Sequence, residues 1–127
     1  LMRVHQIMRP REALALVASD ARIRDVLKTM TAVRAGAAVI ADTDGKLLGI
    51  FTHGDFARHF QRDPKVGERL VADLMTLNPV SVHKDKLAVE VLNLLESHRI
   101  DDLVVVDDNN APVGIVDSQD LTRLKLL

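Results

Sequence analysis

A hydroxyl, an imidazole and a carboxylate stand together at Thr52-His53-Gly54-Asp55, directly behind the run Gly49-Ile50-Phe51. β-formers followed by Thr and an early acidic residue predict a strand that breaks into a helix. The first amide N–H groups of a helix lack intrahelical acceptors and carry partial positive charge. A hydroxyl and a carboxylate beside them can hold a phosphate and a ribose, and His53 at the mouth could donate to a phosphate. The same two groups also suit a plain helix cap, which stabilises by about 1 kcal/mol. The pattern returns 65 residues later as Gly114-Ile115-Val116-Asp117-Ser118-Gln119-Asp120. Asp120 matches Asp55, but Asp117 replaces Thr52, with Ser118 one place on. A carboxylate there repels a phosphate, so the first copy is the expected ligand half.

His53 and His59 flank Asp55, but His53 and Asp55 do not share a helical face and no second cluster completes a metal site; no native metal is expected. The chain lacks Gly-x-Ser-x-Gly, a P-loop and His-Glu-x-x-His, so no catalytic residue is expected either.

The elements that position these groups also repeat. Val4 to Met8 is a short amphipathic lead-in stopped by Pro10, and Ala13 to Val17 reads as a strand. Ser19 or Asp20 is the expected cap of a helix with the buried stripe Ile23, Val26, Leu27 and Met30, ended by Gly36. Ala37 to Ala41 and Leu47 to Phe51 form a hairpin around Asp42-Thr43-Asp44-Gly45, and a helix follows to about Gln61. Arg62 to Lys65 is the expected linker. Val66 to Met75 reads as a short helix whose Val71-Ala72-Asp73-Leu74-Met75 echoes the first lead-in. Val80 to Val82, a helix capped by Asp85 with the stripe Ala88, Val91, Leu92 and Leu95, and Leu103 to Val106 follow. Then come the turn Asp107 to Asn110, with Asn in left-handed geometry, the strand Pro112 to Val116 and a helix to near Leu127. Pro112 marks a strand start or an edge. The expected fold is α/β (α+β), two β-α-β-β-α repeats at 1–62 and 63–127 packed face to face as a pseudo-two-fold pair.

Composition narrows the function classes. With 17 basic and 18 acidic residues the net charge is −1, and aromatics are 2%, which gives neither the charge nor the stacking platforms for nucleic acid. Without cysteine there is no disulfide, thiolate nucleophile or zinc-thiolate site. No apolar run nears the roughly 20 residues of a membrane span, and no signal-peptide core is visible, so a cytoplasmic location is expected. The start Leu1-Met2-Arg3 reads as a fragment excised from a longer polypeptide.

Two tandem β-α-β-β-α units with Gly-apolar-apolar-[Ser/Thr]-x-x-Asp after the hairpin, kept in the second copy except for Asp117 at the Ser/Thr place, resemble a pair of CBS domains, or Bateman module. Residues Gly49 to Phe56 and Leu87 to Ser97 further resemble the C-terminal CBS pair of bacterial arabinose-5-phosphate isomerases, in which a sugar-isomerase (SIS) domain comes first and does the chemistry. The resemblance implies a module that binds an adenine nucleotide in a cleft between the halves and regulates an attached enzyme or transporter. It implies that Asp55 bonds ribose hydroxyls, that Thr52 contacts the ribose-phosphate, and that Ala18, Ser19, Ala38 and Val39 flank the base. In the second copy it carries over to Asp120 alone.

The expected function is therefore a regulatory CBS pair sensing AMP, ATP or a nucleotide-sugar such as CMP-Kdo, a feedback ligand in lipopolysaccharide synthesis, with no cofactor required. The alternative is a ligand-free assembly module that dimerises through Phe56, Phe60, Leu121 and Leu124. A third option attaches the pair to a transporter or a transcription factor.

Overall fold

The computed structural model describes residues 1–123 of the chain. It is mixed α/β, with two four-stranded sheets and four helices in two compact units. One unit is Leu14–Pro79; the other joins Leu1–Ala13 to the chain from Val80 onward. The units thus cut across the sequence repeats, because each lead-in folds onto the sheet of the other copy.

The Leu14–Pro79 unit contains β2 (Ala15–Ala18), α1 (Ile23–Ala32), β3 (Ala37–Ala41), β4 (Leu47–Thr52), α2 (His53–Arg62) and β5 (Thr76–Leu77). Its sheet has the order β2-β3-β4-β5, with β2 parallel to β3 and the remaining pairs antiparallel. Ile23, Val26 and Met30 of α1 pack on Ala15, Ala38, Ile40, Phe51 and Val71. The core is aliphatic apart from Phe51, as the composition requires.

The other unit contains β1 (Arg9–Pro10), β6 (Ser81–His83), α3 (Ala88–His98), β7 (Asp102–Val106), β8 (Pro112–Asp117) and α4 (Ser118–Arg123), in the sheet order β1-β8-β7-β6. Val91 and Leu95 of α3 pack on Val82, Leu103, Val105, Val116 and Leu121, and the lead-in adds Val4 and Ile7. Pro10 sits in the edge strand β1, where a missing N–H costs no ladder bond, and Pro112 begins β8.

Local features follow the sequence closely. Asp42 Oδ1 accepts from the amides of Asp44 and Lys46, with Gly45 at φ +79°. Asp107 Oδ1 accepts from Asn109 and Ala111, with Asn110 at φ +60°. Those amide bonds, first Ala111 and then Asn109, hold the Asp107 carboxyl below the usual carboxylate range.

Helix starts and stops differ from expectation. Ser19 and Asp20 do not cap α1: Arg22 is its N-cap without a side-chain bond, and Ile23 N–H donates to the Arg69 carbonyl at 2.9 Å. Asp85 does not cap α3 either; Leu87 does, and Ala88 N–H donates to the Met2 carbonyl at 2.8 Å. In both copies the exchanged lead-in offers backbone where a side chain was expected. This also divides Val66–Met75, which is two 3-10 turns, Val66–Glu68 and Val71–Asp73, because Arg69 and Leu70 extend to meet α1. Gly36 does not end α1. Arg34 takes the left-handed geometry at φ +55°, as Arg99 does after α3 at φ +52°.

Candidate ligand site

The first motif lies where β4 turns into α2. Thr52 is the N-cap: its Oγ1 accepts from Asp55 N–H at 3.1 Å, and its own N–H donates to Asp55 Oδ2 at 2.9 Å. This reciprocal pair uses the cap and the third helical position, the spacing at which two side chains can each reach the other's amide. Arg58, one turn on, donates to the remaining oxygen Oδ1. Asp55 is buried, whereas the Arg58 side chain is 68% exposed, so this partner is a surface cation that a ligand can displace at small cost. His53 is the first helical residue; it is exposed, and its N–H donates to the Gly36 carbonyl.

The motif glycine has a packing role. A Cβ on Gly49 would lie 2.8 Å from Met75 Sδ and 2.9 Å from the Thr76 carbonyl oxygen. At Gly114 it would lie 2.6 Å from the Arg9 carbonyl oxygen and closer still to Met8 Sδ. Each glycine lets the exchanged lead-in cross the motif strand.

The remaining candidates scatter. Thr52 pairs in register with Ala37, at the start of β3, and Ala18 pairs with Ala41 at its end. Ala18 and Ser19 are thus at the far end of the sheet from Thr52, offset by roughly 13 Å along the strand direction at about 3.3 Å per residue, with β3 between them. The Ser19 carbonyl accepts from Ala72 N–H. Ala38 is fully buried in the cluster under α1; Val39, also fully buried, alternates to the opposite face. Among the described residues no group of three or more His, Cys, Asp or Glu could hold a metal ion.

The second motif is built differently. Asp117 Oδ1 accepts from Gln119 N–H at 2.9 Å, so the cap closes without Asp120. Asp120 turns to Arg9 of β1 instead: Arg9 Nε donates to Oδ2 at 2.6 Å and Nη2 to Oδ1 at 3.0 Å. Arg9 Nη2 also lies 3.7 Å from Asp117 Oδ2, and Arg123 Nη1 lies 3.7 Å from Asp120 Oδ1. The Arg9 hydrogen bond holds the Asp120 carboxyl below the usual range, and the Asp120 bond holds the Arg9 guanidinium above its own. Beside them Asp102 faces Asp117 across the β7–β8 ladder. Burial first, then the charges of Asp117 and Asp101, push Asp102 up to about 7, against the pull of Arg9.

Sequence reasoning missed Arg9, Arg58 and Asp102. Arg58 and Arg123 repeat at the 65-residue spacing and were open to the same comparison as the motifs. For Arg9 the signal was fainter. Val4-His5-Gln6-Ile7-Met8 matches Val71-Ala72-Asp73-Leu74-Met75 at a spacing of 67, which sets Arg9 level with Thr76. Their strands agree, since Thr76 pairs with Ile50 and Arg9 with Ile115.

Of the dimer-surface residues expected for an assembly module, Leu121 is buried in the core of its own unit and cannot form an exposed surface. Phe56 is half-buried and stacks on Phe60 at 5.5 Å, with Phe60 49% exposed. Leu124 lies outside the described residues.

Twofold repetition of a parallel strand pair, a hairpin and a polar helix entrance defines a tandem pair of α/β units. The CBS domain family matches residues 4–62 and 71–126, and the chain belongs to that family as a pair of CBS domains. It is 36% identical over 123 residues to arabinose 5-phosphate isomerase KdsD of Pseudomonas aeruginosa, covering 97% of this chain and 38% of that protein. Its identity to KdsD of Francisella tularensis is 32% over 126 residues, 99% of this chain and again 38% of the relative. KdsD of Escherichia coli matches at 36% over 123 residues, covering 97% and 37%. The chain therefore spans less than two-fifths of the length of these relatives and is similar to their CBS region. Among solved structures, the CBS domain pair of MJ0100 in complex with 5′-methylthioadenosine and S-adenosyl-L-methionine superposes with a TM-score of 0.86 at 27% identity, over 98% of this chain and 96% of that one. The CBSX2 structure in complex with AMP shares the fold, with a TM-score of 0.81 at 24% identity over 99% and 97% of the two chains.

Proposed function

We propose that the chain is a regulatory module whose first motif, centred on Thr52 and Asp55, binds an adenosine-containing nucleotide or nucleotide-sugar and so modulates an attached sugar-phosphate isomerase. The observation that carries this reading is the charge contrast between the motifs. Around Asp55 the one buried carboxylate is offset by exposed Arg58, with exposed His53 beside it at the start of a ten-residue helix whose His53 and Asp55 amides already bond the Gly36 carbonyl and Thr52 Oγ1. Around Asp120 three carboxylates, Asp102, Asp117 and Asp120, face two guanidinia, part-buried Arg9 and exposed Arg123. Only the first is electrostatically suited to a phosphate ester.

Support also comes from the MJ0100 pair with its adenosine ligands, and from KdsD relatives in which the matching region is a minor part of a longer chain. In this reading the parent is a cytoplasmic arabinose 5-phosphate isomerase with an upstream SIS domain, and CMP-Kdo, AMP and ATP are the leading ligands. Among the described residues no helix is long and apolar enough to cross a membrane. Ligand bound preferentially to one arrangement of the module would bias the catalytic part by population shift.

Calorimetry against AMP, ATP, 5′-methylthioadenosine and CMP-Kdo tests the proposal. At least one should bind, and Asp55→Ala should abolish both the heat and the ligand-induced rise in Tm. Silence towards all of them would overturn it. A second reading, an assembly module, draws on exposed Phe60 of α2, which half-buried Phe56 supports. It expects a dimer in sedimentation that Phe60→Glu dissociates, with no ligand response.

A further inference from the structure

We propose that Arg9 is a built-in occupant of the second motif, which leaves the chain with one open ligand site instead of two. The inference rests on the function proposed above, because it takes the motif carboxylate as the ligand's anchor. A carboxylate at a helix entrance anchors a vicinal diol by accepting hydrogen bonds with its oxygens. In the second motif both Asp120 oxygens already accept from Arg9, at 2.6 and 3.0 Å, in the two-pronged geometry that makes arginine the strongest carboxylate partner. The guanidinium also reaches towards Asp117 at 3.7 Å, so it sits between the cap residue and the motif carboxylate, where a ligand hydroxyl would have to enter.

Burial separates this contact from its counterpart in the first motif. The Arg9 and Asp120 side chains are 20% and 15% exposed, and removing one partner leaves the other as a part-buried charge. Arg58 approaches Asp55 from solvent, and an exposed pair contributes little. The lead-ins account for the asymmetry. Arg9 and Thr76 occupy the same place in their sheets, paired with Ile115 and Ile50 respectively, and a threonine side chain is too short to span to the helix entrance. Arg9 is thereby a specificity-determining residue in the number of sites, acting from a strand 111 positions away from the carboxylate it holds.

The substitution Arg9→Thr installs the residue found at the equivalent place of the other sheet, and Arg9→Gln keeps a longer side chain in case the threonine variant melts early. The probe is 5′-methylthioadenosine, which has a ribose diol and no phosphate for Asp117 to repel. Calorimetry on the whole chain should read one site per chain for wild type and two for Arg9→Thr. Asp55→Ala should read none, and Arg9→Thr/Asp55→Ala should read one. Two sites in wild type, or none in a folded Arg9→Thr/Asp55→Ala and a folded Arg9→Gln/Asp55→Ala, overturns the proposal. A wild type that binds nothing while Arg9→Thr/Asp55→Ala binds once would sink the first-motif reading and sustain this one. No binding by wild type or any Arg9 variant would sink both.

Discussion

At the residue scale the second motif is an assembly of like charges held chiefly by Arg9, and its acid–base behaviour follows. Asp102 stands directly opposite Asp117, the least favourable arrangement for two carboxylates on paired strands. Burial and that neighbour push Asp102 up to about 7, so the folded unit prefers its neutral form. A carboxyl raised in the folded state contributes stability below its unfolded value of about 4, and that contribution is lost as pH rises through about 7. Asp120, lowered by Arg9, works the other way: its contribution is present above the ordinary carboxylate value and lost only in stronger acid. Between roughly pH 4 and pH 7 the Asp102 effect therefore dominates within this cluster. Asp102→Asn, which mimics the neutral acid, should stabilise the protein at pH 8 by about 1–2 kcal/mol after allowance for solvent screening, and by almost nothing at pH 4. Urea melts of both proteins at the two pH values provide the check. An equal effect at both would mean that folding leaves the Asp102 carboxyl at its ordinary value.

Elements whose determinants are local were legible in the sequence. The Asp42 and Asp107 turns and the α1 and α3 stripes need only neighbours within four residues, and they formed as expected. The Thr52–Asp55 cap was visible for the same reason, since its two bonds close over three positions. Features set by distant chain were not. The first N–H of α1 is taken by Arg69, which made Ser19 and Asp20 superfluous as caps, and nothing in the spacing around residue 20 signals it. The edge strands β1 and β5 were missed because two residues carry no periodicity. Their consequence is nonetheless written in the motif glycines. Gly49→Ala would drive a methyl group against the Thr76 carbonyl, which is held by the β4–β5 ladder and cannot yield as a flexible side chain could. The expected cost is about 1–3 kcal/mol. Trimming Met75 to Ala in the same chain should not restore the loss, because the backbone clash remains. Thermal melts of the single and double variants would show this; full rescue would place the conflict at the sulfur instead.

For the whole molecule, the exchange of lead-ins has a bearing on the order of events during synthesis. Residues 14–79 comprise every strand and helix of one unit, so it can close as soon as its last strand has left the ribosome. Val4, Ile7 and Arg9 cannot take up these partners until α3, β8 and α4 exist, which leaves the apolar Val4 and Ile7 without their core until then. Closing so wide a loop is the slow kind of step in folding. A chain halted after Pro79 should already protect the amides of β3 and β4 from hydrogen exchange while residues 1–13 exchange freely. Protection of both together would mean that the opening residues find a temporary host. Chaperone demand, protease sensitivity and the useful cut points of the polypeptide would all follow from that long wait of residues 1–13 for their partners.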